Sequence, residues 1–83
     1  MKIYWNKRYN SKNIIGNKIK ALRNQQGLTQ KALAEKLQLE GFEFSDLTIL
    51  RIEQGKRFVP DYEVLALAKF FNVSTDFLLE ATN

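Results

Sequence analysis

Cysteine and histidine are both absent from the 83 residues, proline occurs once and glycine four times. Without cysteine there is no disulfide framework, no thiolate nucleophile and no zinc–thiolate site. Without histidine the commonest general base and metal ligand is missing. Uninterrupted apolar runs are only a few residues long, far short of the roughly 20 needed to cross a bilayer. Met1 to Arg8 has basic residues but no apolar core behind them, so it does not read as a signal peptide. The chain is therefore expected to be complete and cytoplasmic, without a membrane partner; a reducing compartment is compatible with its lack of thiols.

Enzyme signatures are equally scarce. The close carboxylate pairs, Glu40 with Glu43 and Asp61 with Glu63, have no partner resembling a glycosidase or two-metal site. Gly16, Gly27, Gly41 and Gly55 are too scattered to cradle a phosphate in one loop. We expect no catalytic residue, no metal and no cofactor.

What is present suits one small domain: 45% of the residues are apolar, and the length exceeds the roughly 55–65 residues at which lone domains become marginal. The division expected is an N-terminal basic and aromatic extension over residues 1–10 and a single domain over residues 11–83. Charge is unevenly spread. Residues 1–36 carry nine cations against Glu35 alone, a net +8, and residues 37–83 carry four cations against eight carboxylates, a net −4. A basic half is the footprint of a chain that meets a polyanion, and equally the footprint of a solvated charged surface.

Periodicity divides the chain into five short helices. Ile15, Ile19 and Leu22 form one stripe in a segment from about Ser11 to Gln26, with Gly27 as its left-handed stop. Thr29 is an N-cap for a second helix running to Glu40, with Leu33 and Leu37 one turn apart and Gly41 as the stop. Residues 41–45 have no helical period. Ser45 caps a third helix, with Ile49 and Ile52 on one face and Gly55 closing it. Pro60 suits the first turn of a fourth, in which Val64, Leu67, Ala68 and Phe71 point inward. Val73 and Leu78 flank Ser74 at the staple positions of a fifth. Five helices with tight connections and almost no strand signal argue for an all-α fold. The pair Thr29 to Glu40 and Ser45 to Gln54 has the arrangement of a helix-turn-helix, one helix across a nucleic-acid backbone and the next presenting its N-terminal half to base edges.

The stretch IGNKIKALRNQQGLTQKALAEKL, then TILRIEQGKR, then LALAKFFNVSTDFLL resembles the Cro and C1 repressor type of helix-turn-helix domain, the xenobiotic-response-element family, over about Ile15 to Leu79. The resemblance implies a compact five-helix lambda-repressor-like domain that binds duplex DNA at an operator, commonly as a homodimer. On that pattern Thr29, Gln30 and Lys31 fall at a phosphate-holding helix N-terminus, where free amides and the dipole favour an anion; the plain alternative is that Gln30 only starts the helix. Asp46, Leu47, Leu50 and Arg51 match outward positions of the recognition helix. Arg51 either donates to guanine O6 and N7 or binds a phosphate, and Thr48 either touches a phosphate or packs under the helix. Lys56 and Arg57 read as backbone clamps or as a solvated loop. Arg23 and Glu53 match a structural ion pair.

Two departures from the family pattern follow. About five extra residues separate the second and third helices, which implies an enlarged turn, a lengthened second helix and Phe42 and Phe44 packed on the core; the alternative is an aromatic partner surface. Asp46 and Leu47 replace the usual polar readers, with Glu40 and Glu43 just before them, setting base reading against phosphate repulsion. In the extension, Lys2, Lys7 and Arg8 with Tyr4, Trp5 and Tyr9 read as a minor-groove arm, a cover for the core or a dimer surface. The leading expectation is a transcriptional regulator that reads duplex DNA sequence-specifically, acting as a repressor; the second is a protein-interaction module, an antitoxin or anti-regulator on the same scaffold.

Overall fold

The computed structural model describes residues 8 and 10–80, and within them the chain is all-α. The helices are α1 (Gly16–Gln25), α2 (Gln30–Leu39), α3 (Asp46–Glu53), α4 (Asp61–Phe71) and α5 (Thr75–Leu79). The readings made of Lys2, Tyr4, Trp5, Lys7 and Tyr9 lie outside the described residues.

The helix boundaries follow from side-chain and backbone chemistry. Thr29, Ser45 and Ser74 each turn an oxygen onto the amide three residues on, at 3.0, 3.1 and 3.0 Å, so that one orphan donor of each N-terminus is satisfied. At the other ends, α1, α2 and α3 close in Schellman turns. In the first, the Leu28 amide reaches the Arg23 carbonyl at 3.1 Å and the Gly27 amide that of Asn24 at 3.0 Å. The left-handed residue is Gly27, Gly41 or Gly55 in turn, and Asn72 takes the same conformation after α4. Pro60 stands one position earlier than expected: it is the extended residue before α4 and not part of its first turn.

α1 begins at Gly16, five residues later than the periodicity suggests. The Asn13 side chain causes this. Its Oδ1 accepts the amides of Ile15 and Gly16, at 3.1 and 2.9 Å, and caps the helix there. Its Nδ2 donates to the carbonyls of Ile52 and Arg57, at 3.1 and 2.8 Å, and fixes the preceding residues against the end of α3. The Lys12 amide and the Ser11 hydroxyl both donate to the Gly55 carbonyl, at 2.8 and 3.2 Å. Contact is so close that a Cβ on Gly16 would stand 2.4 Å from the Ile52 carbonyl oxygen.

The core is one cluster in which Ile15, Ile19, Leu33, Leu37, Ile49, Ile52, Leu67 and Leu78 are fully buried. α2 packs on α3, α1 crosses the end of α3, and α4 packs with α5. Val64, Leu67, Ala68 and Phe71 supply the inner face of α4. Val73, just before the Ser74 cap of α5, packs on the core cluster that contains Leu78. Lys18 of α1 completes the closure, donating to the carbonyls of Phe77 and Glu80 with its ammonium 5.1 Å from the Phe77 ring centroid.

Residues 40–45 form the enlarged turn, and it is folded inward. Phe44 is 2% exposed within the core cluster, and Phe42 packs against that cluster with its ring centroid 6.3 Å from that of Phe44. The Gln38 side-chain amide holds the Phe44 carbonyl at 2.5 Å, tying the turn to the last turn of α2. These two aromatics therefore consolidate the core and are not a partner surface. Leu39, by contrast, is 89% exposed where α2 ends.

Candidate nucleic-acid interface

α3 is short, so its burial pattern fixes its rotation. Ile49, Ile52 and Glu53 face inward. At 100° per residue, the positions diametrically opposite are Leu47, Arg51 and Gln54, and all three are exposed. Leu50, one of the expected outward positions, and Thr48, expected to touch a phosphate or pack under the helix, are half-buried flanks of this ridge. Gln54 was not among the expected site residues; read as the helix end, its i+3 spacing from Arg51 and i+7 spacing from Leu47 went unused.

At the α3 N-terminus the Ser45 hydroxyl accepts the Thr48 amide and lies 3.0 Å from the Thr48 hydroxyl, so Thr48 supports the cap. Asp46 folds back, its Oδ1 accepting the Leu47 amide at 2.9 Å. A carboxylate in this position is offset by the positive end of the helix dipole, which lessens the repulsion it would present to a phosphate.

At the α2 N-terminus Thr29 caps Ala32, which leaves the amides of Gln30 and Lys31 as the positions a helix cannot satisfy internally. The Lys31 side chain is exposed beside them. The Gln30 side-chain amide points to α3, donating to Glu53 Oε1 at 3.1 Å. That carboxylate also receives Arg23 Nε at 2.6 Å and Arg23 Nη2 at 3.1 Å, while Arg23 Nη1 donates to the Leu28 carbonyl at 2.8 Å. The hydrogen bond to Glu53 raises the Arg23 pKa above its ordinary value, although burial acts in the opposite sense. The network joins α1, the start of α2 and the end of α3, and so fixes the start of α2 against the end of α3.

Thr48, Arg51, Lys56, Arg57 and Phe58, together with Lys12 from ahead of α1, line a concavity of about 290 Å³ beside the C-terminal half of α3. Arg57 differs from the free backbone clamp its position suggests. Nη1 and Nη2 engage Glu63 at 2.6 and 3.2 Å, Nη1 also donates to the Phe58 carbonyl, and the guanidinium lies 5.8 Å from the Phe44 ring centroid. The side chain braces the loop before α4 against both α4 and the enlarged turn. Lys56 is exposed on the same loop.

Two packed helices, the second with an outward ridge beside a cationic concavity, define the helix-turn-helix class of nucleic-acid-binding domains. The family model described as Helix-turn-helix matches residues 19–78, and the chain belongs to that family, in its Cro/C1 form. No curated protein and no solved structure matches the chain. The family is one of DNA-binding domains of the xenobiotic-response-element type and not of enzymes. Among the described residues no helix is long and apolar enough to cross a membrane.

Proposed function

We propose that this chain is a sequence-specific duplex-DNA-binding repressor of transcription, acting in the cytoplasm by occupying an operator that polymerase would otherwise use. The observation that carries this reading is the ridge of Leu47, Arg51 and Gln54 directly opposite the core face of α3. Lowered into a major groove, it presents Arg51 to guanine, the Gln54 amide to adenine and the Leu47 chain to a thymine methyl. The α2 amides of Gln30 and Lys31, with the Lys31 ammonium, hold a backbone phosphate at one side of the groove, and Lys56 holds another.

A two-fold dimer is supported by the apolar side chains left exposed on α4 and α5, namely Tyr62, Leu65, Phe77 and Leu79. Phe71 of α4 is not part of that surface and belongs to the core.

Titrating salt against binding to the duplex upstream of the chain's own gene tests the proposal. Contacts to several phosphates give a linear fall of log K with log salt, with a slope of roughly −0.9 per phosphate. Equal, weak binding to that duplex and a random one at low salt would remove the sequence-specific reading. Arg51→Ala is expected to cost about 1–3 kcal/mol on the operator and to relax one base preference. A uniform loss over all sequences would instead assign Arg51 to a phosphate.

The second reading, a protein-interaction module such as an antitoxin, is favoured by Leu39 alone: an 89% exposed leucine at the enlarged turn, with exposed Glu40 and Glu43 next to it. If Leu39→Ser leaves operator affinity intact but abolishes regulation in cells, that surface has a protein partner.

A further inference from the structure

The segment ahead of α1 precedes residues 19–78, the span shared with the family, yet it sits against the recognition helix. Its bonds fall on the C-terminal end of α3, where the dipole and unpaired carbonyls would ordinarily repel an anion. Here several of those carbonyls are covered. Ile52 receives the Gly55 amide and Asn13 Nδ2, Arg51 receives the Lys56 amide, and Gly55 receives the Lys12 amide and the Ser11 hydroxyl. The acid at the C-terminal end of α3, Glu53, is enclosed by Arg23 and Gln30, and Glu63 is held by Arg57. Around the concavity, Lys12, Arg51 and Lys56 therefore remain as cations with no carboxylate partner among the described residues.

Resting on the DNA-binding reading, we propose that this concavity is a phosphodiester site in which Lys12 and Lys56, both of its lining, hold one backbone phosphate. Arg51, the member of the base-facing ridge that also lines the concavity, joins the two surfaces, and Thr48 lines the same concavity. Lys12 is thus a DNA-binding residue supplied from outside the shared helical core, and the backbone bond from its amide to Gly55 places it. Because the strut uses the Lys12 amide and not its ammonium, the side chain can be changed without disturbing the anchor.

The test compares the full chain with Lys12→Gln and, as a control, Lys20→Gln, an exposed cation of α1 that does not line the concavity. Salt-titrated binding to operator and random duplexes is measured, with urea midpoints to verify folding. Loss of one phosphate contact reduces the slope of log K against log salt by about one, equally on both duplexes. Lys12→Gln is expected to show this reduction and an unchanged urea midpoint, and Lys20→Gln neither. A Lys12→Gln slope equal to the parent's overturns the site while leaving the DNA-binding reading intact. A parent that binds neither duplex overturns both, and titration with inorganic phosphate then separates the sources. Amide shifts at Lys12 and Lys56 would identify a site for a small free anion, contrary to the proposal, and no shifts would mean no anion site at all.

Discussion

Glu53→Leu is expected to lower the unfolding free energy by about 3–5 kcal/mol, since a buried guanidinium is left without its counter-charge. For a chain of this length the whole stability is about 4–12 kcal/mol, so the variant loses a large share of it. The carboxylate side chain is 3% exposed and that of Arg23 11%, too little for water to take over three donated hydrogen bonds. The same change frees Gln30, so α2 and α3 lose their polar link as well as their charge. Arg23→Met combined with Glu53→Leu removes both charges and should recover most of the loss, because the favourable term being removed only offsets desolvation. Urea curves for the parent, the two single variants and the double variant provide the cycle. A single-variant cost below about 1 kcal/mol would show that water replaces the partner, as it does for surface pairs.

The consequence reaches beyond stability. Arg23 also holds the Leu28 carbonyl, directly before the Thr29 cap, and Glu53 is the last residue of α3. The pair therefore sets the distance between the phosphate-facing end of α2 and the ridge of α3. In the double variant the fold should persist while operator affinity falls, and that separation of effects distinguishes spacing from mere stability.

The elements legible in the sequence are those whose causes are local. A cap oxygen three residues before its amide and a glycine after the last apolar turn can be read without knowing what lies across the core, and the structure contains each of them. The Arg23–Glu53 bond spans 30 residues and came only from resemblance to a family. Where a long-range contact was the deciding cause and no resemblance covered it, sequence reasoning missed it. Lys12 and Asn13 have ordinary helical neighbours; bonds to carbonyls 39 and 44 residues away turn the segment into a strut. Arg57 follows Lys56 in a basic loop, and its function is decided by Glu63, beyond Pro60. Gln54 needed only the rotation of α3, which follows once Ile49 and Ile52 are accepted as its core face. The enlarged turn was recognisable as an insertion, and Phe44 as its anchor, because a phenylalanine beside a small core gains more from burial than from water.

Asn13→Ala is expected to cost about 2–4 kcal/mol, the sum of a lost N-cap and two lost side-chain bonds to carbonyls. All four bonds radiate from one amide, two to the amides that open α1 and two to carbonyls at the end of α3 and in the basic loop. No smaller side chain can do both. Asn13→Ser retains an oxygen for the α1 amides but cannot reach the carbonyls, so it should fall between the parent and alanine. Asn13→Asp retains the acceptor and loses both donors; its carboxylate then faces the carbonyls of Ile52 and Arg57, and at neutral pH it should be nearly as unstable as alanine. An ordering by urea midpoint of parent, serine, then aspartate and alanine would support the two-sided clamp, whereas aspartate equal to the parent would show that only the cap matters. The clamp also positions Lys12, so in Asn13→Ser, which remains folded, the salt slope of duplex binding should shrink towards that of Lys12→Gln. One asparagine ahead of the first helix thereby couples the stability of the end of the recognition helix to the charge presented beside it.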